Sequence, residues 1–319
     1  MKKLVLLFLF IVFAIESHAQ VKHIITSDSV DLYVTIKGKG TPCLYIHGGP
    51  GMGSYSLEKF AGDSLETHFQ MIYLDQRGVG RSSSPKDKNY SMDRMIKDFE
   101  EVREALGIEQ WITLGHSFGG ILQMAYILHF PKAINGMIMI NCTLNLNETY
   151  KTSWCPKACE FLNISNRQYF ENDKIPLIER WDSLSYALSE KDLMWKMMFA
   201  NRKEMEPMRK TYSEIKNWNW EFAETAMTIN DYLGNFLNET SKINVPVLFF
   251  YGKKDWMIGQ HYKEVKFSNC MFWGSDVGHM PFVENKGDML KAIRCYMPFV
   301  ENKGDMLKAI RCYKIKYKF

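Results

Sequence analysis

The stretch from Trp111 to Pro131 constrains the fold more than any other part of this 319-residue chain. A short apolar run, Trp111-Ile-Thr-Leu114, passes without a linker into Gly115-His-Ser-Phe-Gly-Gly120, and an apolar segment continues from there to Pro131. The first run has the residue types of a buried strand, and the proline marks a helix end. Glycines let the chain turn more tightly than side chains allow, so the turn lifts the Ser117 hydroxyl clear of a sheet, at a helix N-terminus. A strand feeding a helix in this way belongs to a mostly parallel sheet covered by helices.

The rest of the chain keeps that rhythm. Asp31 to Ile36 alternates and suits an early antiparallel strand, while Cys43 to Ile46, Met71 to Leu74, Ile134 to Ile140, Val245 to Tyr251 and Cys270 to Trp273 are short apolar runs. Ser91 to Leu106 is amphipathic, with Met92, Met95, Ile96, Phe99 and Val102 on one stripe. Residues 143–242 break the pattern. They are rich in Trp, Met, Asn and Glu, show helical periodicity without strand runs, and read as a helical cap inserted into a core made of 20–142 and 243–319.

Chemistry collects at strand ends. Ser117 is the candidate nucleophile of a Gly-x-Ser-x-Gly motif; a plain helix-capping serine is the bland alternative. A serine hydroxyl needs a base to take its proton. Asp255 follows the run 245–251 in Gly252-Lys-Lys-Asp255-Trp256, and His279 follows the run 270–273 in Val277-Gly-His-Met-Pro281. Ser117, Asp255 and His279 therefore form a candidate catalytic triad, with His279 as general base and Asp255 fixing its tautomer. His261 is a rival base, but it falls in a helical stretch. For the oxyanion, the backbone N–H of Phe118 is one expected donor. The loop His47-Gly48-Gly49-Pro50-Gly51 supplies the other, assigned to Gly49 with Gly48 as the alternative.

His47-Gly-Gly-Pro-Gly51, Asp75-Gln-Arg-Gly-Val-Gly-Arg-Ser82 and Gly115-His-Ser-Phe-Gly-Gly120 together resemble the proline iminopeptidases, a peptidase family within the α/β-hydrolases. The resemblance covers nearly the whole mature chain and is weakest in the cap. It implies the α/β-hydrolase fold and an enzyme that removes an N-terminal residue, usually proline, from small peptides. Asp75 and Arg77 then brace loops beneath the site. Family members hold the substrate's free amine with cap glutamates, one of them in a Trp-Glu context. Trp218-Asn-Trp220-Glu221 matches that context, so Glu221 is the candidate amine anchor, with Trp218 and Trp220 lining an apolar pocket. The family's second cap glutamate has no counterpart near Ile229-Asn-Asp-Tyr232. Two further readings use the same residues: a carboxylesterase or other acyl hydrolase with this triad, and a non-catalytic binding protein on a hydrolase scaffold.

The ends add context. Lys2 and Lys3, an apolar run of 12 residues from Leu4 to Ile15, and Ser17-His18-Ala19 read as a signal peptide spanning 1–19. That run is too short to cross a bilayer, which takes about 20 residues. The mature chain is then expected to be exported, periplasmic or secreted, and not held at a membrane. Seven cysteines are present, of which Cys155 and Cys159 have i, i+4 spacing that could bridge. No Cys/His spacing suggests a metal site, and the mechanism calls for no cofactor. A net charge of +4 spread along the chain gives no footprint for nucleic acid. Residues 280–296 and 297–313 carry the same 17-residue sequence. Each copy is expected to form its own short amphipathic helix, the second loosely docked.

Overall fold

In the computed structural model, which describes residues 19–301, eight strands form one sheet in the order β1-β2-β4-β3-β5-β6-β7-β8. These are β1 (Gln20–Ile25), β2 (Asp31–Lys37), β3 (Thr41–Ile46), β4 (Phe69–Leu74), β5 (Trp111–Ser117), β6 (Ile134–Cys142), β7 (Val247–Gly252) and β8 (Cys270–Ser275). β1, β2 and β4 pair antiparallel, and every pairing from β4 to β8 is parallel. The central strands are covered on both faces and read as unbroken apolar runs, whereas β1 alternates and exposes Val21 and Ile25. The proposed leader 1–19 lies outside the described residues apart from Ala19. Among the described residues no helix is long and apolar enough to cross a membrane.

Helices pack on both sheet faces: α1 (Tyr55–Leu65), α2 (Met92–Ala105) and α3 (Gly119–His129). Ser91 caps α2 by accepting from the Arg94 N–H, and Met92, Met95, Ile96, Phe99 and Val102 are its buried stripe. α3 is apolar nearly all round because it is buried all round. Its one amide, Gln123, donates to the Thr113 and Ile138 carbonyls of the strands beneath.

Between β6 and β7 the chain forms helices only. These are α4 (Leu146–Thr149), a π-helical turn (Tyr150–Trp154), α5 (Cys155–Leu162), α6 (Leu177–Glu190), α7 (Trp195–Met198), α8 (Met205–Thr211), α9 (Glu221–Thr225) and short 3₁₀ turns. This insertion has its own apolar packing, with Trp154 and Trp181 rings 4.8 Å apart beside Tyr150. Cys155 and Cys159, on successive turns of α5, are free buried thiols. β7 starts at Val247, two residues later than expected, because Pro246 has no N–H for a ladder.

After β8 come α10 (Pro281–Glu284) and α11 (Lys286–Glu301). α11 departs from the expected pair of repeat helices. It runs through the repeat boundary at Met297 without a break, and Pro298 sits inside it. Met289, Ile293 and Tyr296 are fully buried, and the second copy's Met297 and Phe299 are 7% and 9% exposed in the same core. The start of the second copy is thus part of the core; residues 302–313 of it, like Cys312, lie outside the described residues. Phe299→Ala should cost about 3 kcal/mol in a denaturant melt. A loss under about 0.5 kcal/mol, the range of a surface substitution, would show that this side chain carries no core packing.

Candidate active site

β5 ends on Ser117, whose φ of 56° puts a non-glycine residue in the left-handed region. A side chain held so is strained and needs its surroundings to fix it. Gly119 permits the fixing: a Cβ there would lie 2.2 Å from the Ile46 carbonyl oxygen, so α3 can begin directly against the end of β3. Gly48 permits the approach from the other side. A Cβ on it would lie 2.6 Å from the Ser117 Cβ, so its backbone touches the serine.

Asp255 lies three residues beyond β7 and His279 four beyond β8, and the three side chains meet. The Ser117 hydroxyl is 2.9 Å from His279 Nε2, and His279 Nδ1 is 2.8 Å from Asp255 Oδ2. A carboxylate can only accept, so Nδ1 carries the proton toward Asp255 and Nε2 turns a lone pair to the serine hydroxyl. The other Asp255 oxygen accepts from the Met257 N–H at 2.9 Å, which holds the carboxylate edge-on. Ser117, Asp255 and His279 are 8%, 4% and 2% exposed, so the relay is largely shielded from water.

The loop 47–51 is anchored through His47. Its Nε2 accepts from the Gln76 N–H and its Nδ1 donates to the Gly48 carbonyl, both at 3.1 Å. Burial pushes this imidazole down to about 4, so it stays neutral near pH 7. Among the described residues the N–H groups of Gly49 and Phe118 meet no hydrogen-bond acceptor. Phe118 is the N-cap of α3, where the first N–H groups have no helical partner.

Asp75 and Arg77 lie one layer deeper. Asp75 accepts from the Ser54 N–H and hydroxyl and from the N–H and guanidinium of Arg81. Burial pushes its pKa up, but the Arg81 contacts outweigh that and hold it below the usual carboxylate range. Arg77 makes a two-pronged pair with Asp98 at 2.6 and 2.7 Å and also reaches Asp28.

The insertion residues divide. The Trp218 indole N–H donates to the Gly51 carbonyl at 3.2 Å, and Trp220, 43% exposed, packs beside it at 5.9 Å. Trp220 also lies over the loop that carries Gly49, since a Cβ on Gly51 would sit 3.5 Å from its ring. Glu221, the candidate amine anchor, already has partners. Its carboxylate accepts from the Tyr90 hydroxyl and pairs with Lys88 at 2.8 Å; among the described residues it makes no polar contact with the triad. Lys88, then Tyr90, hold it below the usual glutamate range. The next residue, Phe222, reaches the serine turn, with its ring 6.1 Å from Phe118, and Tyr232 comes nearer still, at 5.3 Å. His261, the rival base, is buried against Thr149 at 2.8 Å and takes no part in the relay.

Two residues that sequence reasoning passed over hold the histidine loop. His116 Nε2 lies 2.9 Å from the His279 carbonyl and donates to it, since a carbonyl only accepts. Burial pushes the His116 pKa down to about 3, which keeps the ring neutral. Asn141, at φ 47°, donates to the Gly278 carbonyl and accepts from the Gly252 N–H, tying the ends of β6 and β7 to the loop. The only sequence signal for either is position: one precedes the serine and the other ends a strand run. Among the described residues no group of three or more His, Cys, Asp and Glu side chains could hold a metal ion.

A family model described as alpha/beta hydrolase fold matches residues 41–286, and the chain belongs to that family of hydrolases. The relatives are more particular. The proline iminopeptidase of Saccharolobus solfataricus is 28% identical over 282 residues, which is 81% of this chain and 85% of that one. The proline iminopeptidase of Neisseria gonorrhoeae is 31% identical over 161 residues, covering 47% of this chain and 50% of that one. The crystal structure of a proline iminopeptidase-related protein from Thermus thermophilus matches with a TM-score of 0.72 at 20% identity, over 89% of this chain and 98% of that one. An esterase from Exiguobacterium antarcticum matches at 0.65 and 17%, over 88% and 100%. At such identities the structures speak for the fold alone, and the fold is the one expected. The expected resemblance to proline iminopeptidases is likewise matched by relatives of that name.

Proposed function

We propose that this chain is a serine aminopeptidase that releases N-terminal proline, or another small N-terminal residue, from peptides. The observation that carries the reading is the continuous relay from Ser117 through His279 to Asp255, set at three strand ends behind a strained serine. Ser117 Oγ attacks the scissile carbonyl while His279 takes its proton, and His279 returns that proton to the leaving amine. The N–H groups of Gly49 and Phe118 receive the oxyanion. Water, deprotonated by the same histidine, then releases the acyl group from Ser117. Trp218 and Trp220 offer apolar surface for a prolyl ring. Glu221 receives the substrate ammonium once Lys88 is displaced. The relatives' names support the substrate class. The charged start, short apolar run and Ser17-His18-Ala19 site support export of the mature enzyme.

One observation favours a second reading, an acyl-ester hydrolase with the same triad: the Glu221 carboxylate is already paired with Lys88 and Tyr90. Prolyl anilides with free and blocked amines, run beside short acyl esters, separate the two. The aminopeptidase should prefer the free amine by about 100-fold, the order of a charge-assisted hydrogen bond. Glu221→Gln should raise KM about tenfold for free-amine substrates and leave blocked ones unchanged. Turnover of esters alone would replace the peptidase reading with the second one.

A further inference from the structure

The backbone around His279 is held from two directions. On the core side, His116 and Asn141 bind the carbonyls of His279 and Gly278. On the other side lie the last residue of α7, Met198, and the extended chain that follows it in the insertion. The His279 N–H donates to the Met198 carbonyl at 2.5 Å. A Cβ on Gly278 would lie 2.5 Å from that same oxygen and 2.9 Å from the Phe199 Cα, so the two backbones are in direct contact.

One side chain joins them. Glu284 Oε2 accepts from the Ala200 N–H at 2.8 Å and from the Gly278 N–H at 3.0 Å, and Oε1 accepts from the Met280 N–H at 3.2 Å. Ordinary helix capping accounts for the bond to Met280, the N-cap of α10. It does not account for Ala200, which lies 84 residues away and in another part of the fold. Three backbone donors on two oxygens suit an ionised carboxylate, which only accepts. Burial pushes the Glu284 pKa up, and the three N–H groups oppose that.

We propose that Glu284 is a positioning residue for His279: its carboxylate latches the Met198–Ala200 segment of the insertion onto the histidine loop, so the imidazole is aligned on Ser117 only while the insertion is seated. This rests on the serine-hydrolase reading above. Movement of the insertion to admit substrate would release two of the loop's bonds together, the Met198 contact and the Glu284 bridge. Seating it again would restore base and enclosure in one step.

The test uses the full chain and two single variants that cut the same link from opposite sides. Glu284→Gln puts an amide donor where N–H groups need an acceptor. Ala200→Pro removes the N–H that the carboxylate binds, and the preceding Phe199, at ψ 142°, already has the extended backbone that precedes proline well. Two readouts are taken: the rate at which a fluorophosphonate labels Ser117, and kcat and KM on whichever chromogenic substrate the wild type turns over. Thermal melts confirm that each variant is folded. Each variant should label about tenfold more slowly and lose about tenfold in kcat, with KM within about twofold, as expected for a misaligned base. The double variant should be no slower than the worse single one, because both break one latch. Unchanged labelling in a folded Ala200→Pro variant, or losses that multiply in the double variant, would overturn the latch alone. A wild type that takes no label at Ser117 would overturn the serine reading, and the latch with it.

Discussion

Ser117→Ala will lower kcat by about 10⁴- to 10⁶-fold and leave the melting transition nearly unmoved, the scale reached when a serine nucleophile is deleted from a preorganised relay. The separation of the two effects follows from where the hydroxyl sits. Its hydrogen bond runs to His279 Nε2, and the side chain is small and at a tight turn, so its loss opens little space in the core. Alanine keeps the Cβ that Gly48 packs against, so the loop 47–51 stays in place. The remaining rate would come from the N–H groups of Gly49 and Phe118, which can still polarise a bound carbonyl for attack by water. Measuring kcat and the single-turnover acyl-enzyme burst on the same preparation decides the matter. A variant that keeps more than about one per cent of turnover would place the nucleophile elsewhere.

The parts of this site that the sequence exposes are those whose chemistry is local. A glycine-flanked serine between an apolar strand and a helix leaves the chain few ways to turn, and in a parallel sheet every strand ends on the same edge. Asp255 and His279 could therefore be assigned from their places just beyond apolar runs. The pairing of Glu221 could not be read in the same way, because its partner is not local. Lys88 arrives from a turn with φ 57°, 133 residues earlier in sequence, and nothing in Trp218-Asn-Trp220-Glu221 announces it. Phe222 was overlooked for the opposite reason: an aromatic beside two tryptophans reads as generic packing until Phe118 is set against it. The tandem repeat makes the same point within one molecule. Met280-Pro281-Phe282-Val283-Glu284 follows the histidine loop and starts a helix at its proline, the first helical position where a missing N–H costs nothing. Met297-Pro298-Phe299-Val300 is the same sequence, yet it continues a helix already under way, because α11 carries Met297 and Phe299 into the apolar layer under β6, β7 and β8. Tertiary burial outweighs the proline's local preference.

The largest stability loss is expected away from the reacting atoms. Asp98→Ala should destabilise the fold by about 3–5 kcal/mol, the cost of removing one partner of a buried ion pair and leaving the other uncompensated. Asp98 is 1% exposed and receives Nε and a terminal nitrogen of Arg77 at 2.6 and 2.7 Å and two nitrogens of Arg94 at 3.2 and 2.6 Å. Alanine there would take the hydrogen-bond acceptor from Nε of both arginines and weaken the pairing of their terminal nitrogens. Asp28 still reaches Arg77, and Glu101 still reaches Arg94, which keeps the loss at the lower end of what an isolated buried charge would suffer. Asp98→Asn retains an acceptor but adds a donor among donors, and should fall between wild type and alanine. The melting temperature should drop by roughly 10 °C in the alanine variant, and kcat per folded molecule should stay within about twofold. That combination separates a brace from a catalyst. Arg77 and Asp75 stand in one sequence motif, and both bind carboxylate or guanidinium partners beneath the loops instead of facing Ser117. Losing their network should therefore lower the fraction of molecules that are folded before it alters the chemistry of those that are. A large fall in kcat at full folding would mean instead that the network reaches the relay through the His47–Gln76 bond, and the bracing account of this motif would have to be abandoned.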